Sequence, residues 1–250
     1  MSRPEPSPAS SPALSIVIPA YNEAARIGGA LIATRAFLDQ RGIDAELVVV
    51  DDGSTDETPS IVAAQARDDL RVRLHRLDRN RGKGAAVREG VLRARGERVL
   101  FMDADLATPL EELDKLMRAL DDGAEIAIGS RAIRGSRVVA HQHPLRELGG
   151  RAFNLLVQAL IMPGIWDTQC GFKLFSRDAA QALFREATID RFAFDVELLL
   201  LARGRFRVAE VPVEWRHVEQ SKVSPLRDGA RTAWDLGLLR LHIALRRWRR

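Results

Sequence analysis

The stretch RVLFMDADLATP (98–109) is an apolar, strand-like run that stops at two aspartates, Asp103 and Asp105, just before a proline that can open a helix. The same unit recurs on either side of it. LSIVIP (14–19) is followed by a helical pattern over 23–40. ELVVVD (46–51) leads to a helix with Thr58 placed as N-cap and Pro59 as its first residue. RVRLHR (71–76) precedes a helix over 83–95, and AEIAIG (124–129) reads as a fifth strand. β-Branched runs alternating with helices predict an α/β protein with a parallel sheet covered on both faces. The second half is less regular. Helices are expected over 145–161, 178–185 and 194–203, strands over 166–175 and 205–215, and a long helix over 225–248.

Each of the five strands ends in a polar cluster: PAYNE (19–23), DDGSTDET (51–58), NRGKG (80–84), DAD (103–105) and GSR (129–131). In a doubly wound sheet these ends share the edge where ligands bind. Side chains at i and i+2 of an extended segment point the same way, so Asp103 and Asp105 are expected to converge. No Lys or Arg adjoins them in sequence, and a hard divalent cation would relieve their repulsion. The competing reading is that Asp105 only starts a turn or caps the next helix. DDGS reads either as an Asp-Gly turn or as a site where Asp52 meets a base or ribose. In NRGKG, Gly82 and Gly84 allow close backbone approach and Lys83 offers charge to phosphates. There is no G-x-x-x-x-G-K-[ST] loop, and no G-x-G-x-x-G after the first strand, which argues against a nicotinamide enzyme.

With 250 residues, 46% apolar and 29% charged, the chain has the makings of an ordinary globular protein. Cys170 is the single cysteine, so no intramolecular disulfide forms and a reducing compartment fits. Residues 1–13 are rich in Pro and Ser and read as a disordered tail, not a signal peptide. No apolar run reaches the roughly 18 residues that span a bilayer. The net charge of +4 is uneven: residues 216–250 hold nine Lys/Arg against three Asp/Glu. Trp234, Leu238, Leu241, Leu245 and Trp248 fall on one helical face, with Arg240 and Arg247 on another and Arg246, Arg249 and Arg250 at the end. That is the pattern of a helix lying in a membrane interface; the competing reading is a helix packed on the core with a charged outer face. The pI of 9.8 raises nucleic acid as a partner, but the localised charge and the lack of an aromatic-basic motif speak against it.

SIVIPAYNE, VVVDDGSTDET, NRGKGAAVREG, FMDADLATP and IGSR resemble the donor-binding half of the inverting family 2 glycosyltransferases. DTQCGFKLF (167–175), FAFDVELL (192–199), EVPVEW (210–215) and SKVS (221–224) resemble the dolichyl-phosphate glucosyltransferase and mannosyltransferase branch. The resemblance implies a GT-A-type, doubly wound, mostly parallel sheet over 14–224, with 225–250 as an amphipathic basic helix. It implies a nucleoside-diphosphate sugar as donor, UDP-glucose favoured over GDP-mannose, with Mg²⁺ or Mn²⁺, and a polyprenyl phosphate as acceptor. By motif position Pro19, Tyr21, Glu23 and Asp52 would hold the nucleoside. Asp103 and Ala104 would lie against the nucleotide, and Asp105, with Asp103, would ligate the metal. Arg131 would meet phosphate charge, and Arg216 and Lys222 would close over the diphosphate. Where some mannosyltransferases carry a Gln ligand, this chain has Ala107.

A phosphate monoester, with its second pKa near ~6, is already largely a dianion at neutral pH and needs no general base. An acceptor hydroxyl would need one, and Asp167 and Asp195 are then the candidates. Transfer to a saccharide hydroxyl is therefore the nearest alternative. A lipid acceptor further implies peripheral attachment to the cytoplasmic face of a membrane, directly or through a membrane-protein partner.

Overall fold

The structure, a computed structural model, describes residues 11–139 and 164–216. The helices expected over 145–161 and 225–248, Lys222 and the tail residues 1–10 lie outside the described residues. Four strand–helix units and a fifth strand open the fold: β1 (Leu14–Ala20), α1 (Ala24–Arg41), β2 (Ala45–Asp51), α2 (Thr58–Asp68), β3 (Val72–Arg76), α3 (Lys83–Arg93), β4 (Arg98–Met102), α4 (Leu113–Asp121) and β5 (Ile126–Ser130). After β6 (Arg137–Val138) come β7 (Phe172–Ser176), α5 (Arg177–Glu186), α6 (Phe194–Ala202), β8 (Val208–Pro212) and β9 (Glu214–Trp215).

The main sheet has seven strands in the order β3-β2-β1-β4-β7-β5-β8. β1 pairs parallel with β2 and β4, β2 with β3, and β5 with β8. β7 runs antiparallel between β4 and β5. The sheet is thus mostly parallel, as expected, with β7 as its one antiparallel strand. FKLF is apolar enough to lie in a sheet centre, but hydrophobic patterning carries no direction along the chain.

Alternation along the strands sorts the core into two layers. Val17, Val48, Val50 and Phe101 face α3, α5 and α6, while Ile16, Ile18, Leu47 and Leu100 face α1, α2 and α4. Both faces are covered, so β1 and β2 are buried almost end to end.

Other element boundaries moved for local reasons. Thr58 is the first residue of α2 and Glu57 its N-cap, because the Thr58 hydroxyl is taken by the Glu23 N–H at 2.7 Å and the Asp56 carboxylate at 2.6 Å. A 3₁₀ turn over Leu110–Glu112 precedes α4. The strand expected over 166–175 forms only from Phe172, and the one expected over 205–215 divides into β8 and β9. β9 leaves the main sheet to pair with β6, which carries Trp215 to the mouth of the site.

Candidate active site

The C-terminal ends of β1 to β5 lie on one edge, and two loops there are tied to each other. Asn22, in the left-handed region at φ 54°, donates its N–H to Ser54 Oγ at 2.8 Å and accepts the Thr55 N–H at 2.8 Å. Pro19 pairs with Val50 in the sheet, Tyr21 is exposed at the rim, and Glu23 grips Arg26 through both carboxylate oxygens. The PAYNE and DDGSTDET clusters are therefore one surface.

Asp52 is buried, and each of its oxygens accepts a backbone N–H: from Arg81 at 2.7 Å and from Gly82 at 2.8 Å. Burial pushes its carboxyl above the usual range, against those two hydrogen bonds. The Asp52 side chain fastens the NRGKG loop to the end of β2. The close approach made by Gly82 is to protein: a Cβ there would lie 2.5 Å from the Asp190 carbonyl oxygen.

Lys83, first residue of α3, reaches from that loop to Asp103, with Nζ 2.6 Å from Oδ1. The Asp103–Asp105 pair, with no basic neighbour in sequence, has one in space. Strand β4 ends at Met102 and the chain turns over 104–105, with Leu106 at φ 51°. Convergence of the two acids comes from this turn, not from an extended segment. Both line a cleft with Met102, Ala107, Thr108 and Trp215. Ala104 is buried in the core below. Asp105 accepts the Ala107 N–H at 3.0 Å, and burial followed by the charge of Asp103 raises its pKa. Asp103 is packed against β7: a Cβ on Gly171 would lie 2.0 Å from Asp103 Oδ2.

On the far side, Arg131 and Asp167 form a bidentate pair. Nε donates to Oδ2 at 2.7 Å, Nη2 to Oδ1 at 2.9 Å, and the Arg131 N–H adds a third bond at 2.9 Å. Burial opposes both charges, yet their attraction wins: Asp167 is held below the usual carboxylate range and Arg131 above its own. The guanidinium also lies 5.5 Å from the Trp215 ring centroid. Asp195 is paired as well, with Lys173 Nζ 2.5 Å from its Oδ1 and also bonded to the Cys170 carbonyl. Burial raises the Asp195 pKa against the pull of Lys173. Burial lifts the Cys170 thiol to about 11, which leaves it an inert core side chain. Arg216 is exposed, pairs with Glu214, and docks its N–H on the Ala107 carbonyl at 2.8 Å.

The family model described as glycosyl transferase family 2 matches residues 15–184. The chain belongs to glycosyl transferase family 2. Several similar proteins share one description. Dolichyl-phosphate beta-glucosyltransferase ALG5C of Trichomonas vaginalis is 43% identical over 84% of this chain and 65% of its own. The dolichyl-phosphate beta-glucosyltransferases of Homo sapiens and Drosophila melanogaster are 38% and 40% identical, each over 94% of this chain and 77% of their own. Among solved structures, glucosyl-3-phosphoglycerate synthase of Mycobacterium tuberculosis superposes with a TM-score of 0.66 at 23% identity, over 92% of this chain and 80% of that one. The same enzyme in complex with Mn²⁺, uridine diphosphate and glucosyl-3-phosphoglycerate gives 0.66 at 21% identity, over 90% and 77%. At these identities the superpositions establish the GT-A-like fold.

In this family 2 glycosyltransferase Asp103 and Asp105 are the cleft carboxylates that could hold a divalent cation, and no cluster of three or more His, Cys, Asp or Glu occurs among the described residues. Two carboxylates suit a hard cation that takes its remaining ligands from diphosphate and water. The cradle left by Gly171 lets Asp103 sit where a side chain would expel it. Two supporting residues escaped the reading of the sequence. Lys173, fully buried in FKLF, anchors Asp195. Glu197 accepts the N–H groups of Thr188 at 3.0 Å and Ile189 at 2.8 Å, holding the loop that meets Gly82 and Gly84. The available signal was a charged residue inside each apolar run, FKLF and FDVELLLLA, because such residues are almost never buried without partners.

Proposed function

We propose that this glycosyltransferase moves glucose from UDP-glucose to a dolichyl-type polyprenyl phosphate, inverting the anomeric centre to give a β-linked lipid-phosphate sugar. The observation that carries this reading is that both carboxylates positioned to act as a base are committed. Asp167 is locked on Arg131 and Asp195 on Lys173. Such a site suits an acceptor that arrives as its own nucleophile. The names and identities of the human, fly and Trichomonas relatives support the same donor and acceptor.

An oxygen of the acceptor phosphate forms the new bond to the anomeric carbon. The bond from that carbon to the β-phosphate oxygen of the donor breaks, and UDP departs with the electron pair. No proton is transferred. What the protein must provide is alignment and cancellation of repulsion between two phosphate-bearing reactants. Asp103 and Asp105 would hold Mg²⁺ or Mn²⁺, which when bound neutralises charge on the departing diphosphate. Pro19, Tyr21 and Glu23 lie at the nucleoside end of the edge. Asp52 acts there through the loop it fastens, and Lys83 stands beside the diphosphate position. Arg131, oriented by Asp167, and the Arg216 and Lys222 segment supply positive charge on the acceptor side.

No helix among the described residues is long and apolar enough to cross a membrane. Attachment is assigned to the basic, Trp-containing segment 225–250, on the cytoplasmic face of a membrane. The test of function is transfer of radiolabel from UDP-glucose, with GDP-mannose alongside, to polyprenyl phosphate in the presence of Mn²⁺. Label that partitions into organic solvent and is released by mild acid is the expected result. Label found in a water-soluble saccharide would instead establish a hydroxyl acceptor.

A further inference from the structure

Lys83 is the cation whose placement the reaction leaves least explained. Its ammonium sits 2.6 Å from Asp103 Oδ1 and 5.3 Å from the centroid of Phe101. Asp195 attracts it from behind, and Asp105 more weakly from the cleft. Its position is built rather than incidental. Asp52 clamps the two preceding backbone N–H groups, and the Ala85 N–H is bonded to the Asp190 carbonyl at 3.0 Å. The side chain is only about one-fifth exposed.

Asp103 is thus neutralised by a lysine at the position where it is read as a cation ligand. An ammonium and a divalent cation on the same carboxylate repel each other strongly in a partly buried site. The other oxygen, Oδ2, is pressed against Gly171, which leaves Asp103 little room to turn away from Lys83 and offer a second face. Once released from Asp103, Lys83 is still held near the cleft by the charge of Asp195. The nearest new partner of the right sign is a donor phosphate.

We propose that Lys83 is a resident counter-ion that occupies Asp103 in the free protein, yields it to the divalent cation and passes to the donor diphosphate, so that cation and nucleotide bind cooperatively. The proposal rests on Asp103 and Asp105 being the cation ligands, and not on the acceptor. Cooperativity follows by linkage: a nucleotide that draws Lys83 away from Asp103 favours the cation, and the cation favours the nucleotide by the same factor.

The test is Mn²⁺ binding, read from the electron paramagnetic resonance signal of free Mn²⁺, with and without UDP. It is applied to the wild-type protein, Lys83→Met and Lys83→Gln. The glutamine variant keeps a polar group of lesser reach should the methionine variant unfold. Without UDP, the neutral variants should bind Mn²⁺ more tightly than wild type, by roughly fivefold or more. Addition of UDP should tighten Mn²⁺ strongly in wild type and much less in the variants. UDP itself should bind the variants more weakly at saturating Mn²⁺. Unchanged or weaker Mn²⁺ binding in a folded variant without UDP would overturn the proposal, because Lys83 would then not compete for Asp103. Lys83→Arg, which restores the charge, should return Mn²⁺ affinity toward the wild-type value. Asp105→Asn separates the two levels of the argument. If it leaves Mn²⁺ binding intact, the ligand assignment itself fails.

Discussion

Asp105 is held ionisable in a site that burial and Asp103 both make hostile to its charge. A carboxylate kept under those conditions in a cleft is a candidate to meet a cation. Asp105→Asn should therefore reduce turnover on the order of 10²–10³-fold or more. The melting temperature should not fall, since the amide removes a buried charge and keeps an acceptor for the Ala107 N–H. Initial rates and a thermal melt on the same preparation check both halves. Gly171→Ala acts on the partner acid without touching it chemically. The added Cβ would lie 2.0 Å from Asp103 Oδ2, so the carboxylate must move. Mn²⁺ binding should weaken, with a stability loss of about 1–3 kcal/mol by overpacking; wild-type Mn²⁺ affinity in this variant would mean that Asp103 is not a ligand. At this scale the sequence was informative about which residue types gather, because polar clusters closing apolar strands share one edge. It was silent about pairing. That Lys83 meets Asp103, or Arg131 meets Asp167, depends on loops separated by 20 and 36 residues, and no local pattern encodes those distances.

Between elements, the buried Lys173–Asp195 pair locks β7 to α6, and both side chains are almost wholly excluded from water. Removing one partner leaves the other as an uncompensated buried charge. Lys173→Met should cost roughly 3–5 kcal/mol in urea unfolding. The double variant Lys173→Met, Asp195→Leu should recover most of that loss, because apolar replacements of similar volume often do. Activity should not recover with it, since Asp195 also attracts Lys83. A double variant as unstable as the single one would show that the pair acts through something other than charge. A second junction makes stability depend on pH. Asp69, at the end of α2, is bound by Arg71, whose other branch reaches Asp39 of α1, and the Arg71 hydrogen bond holds its pKa at about 2 against an ordinary 3.8. The native state binds its proton less readily than the unfolded chain. The stabilisation is present above pH 3.8 and is lost as pH falls through about 2. After screening by solvent at this partly exposed pair it amounts to about 1 kcal/mol. Asp69→Asn should flatten the decline in stability across that acid window and leave the higher range parallel to wild type. The four strand–helix units and the fifth strand were legible because each carries its own period and punctuation. β7 and β9 were not fully legible. Their direction and their sheet are set by long-range pairing to β4, β5 and β6, which a short apolar run does not specify.

Across the whole chain the charge is divided: residues 216–250 carry nine Lys/Arg and three Asp/Glu, while the rest is slightly negative. Asp103, Asp105, Asp167 and Asp195 belong to the described residues, and their charge is balanced locally by Lys83, Arg131 and Lys173. The basic excess of the last 35 residues is not needed for that balance. Its purpose is then sought outside the site. Trp234, Leu238, Leu241, Leu245 and Trp248 recur at helical spacing, and five arginines accompany them between 240 and 250. Basic side chains close to an anionic leaflet gain about 1 kcal/mol each, and that gain decays within a Debye length. The 250-residue chain should therefore sediment with vesicles containing phosphatidylserine and much less with neutral ones, and release should follow added salt. Replacing Arg246, Arg247, Arg249 and Arg250 with glutamine should weaken vesicle binding. The rate on polyprenyl phosphate held in those vesicles should fall with it, while UDP binding measured without lipid stays at the wild-type level. Equal binding of the two proteins to anionic vesicles would place the membrane contact elsewhere on the molecule and return the basic segment to the role of an ordinary charged surface.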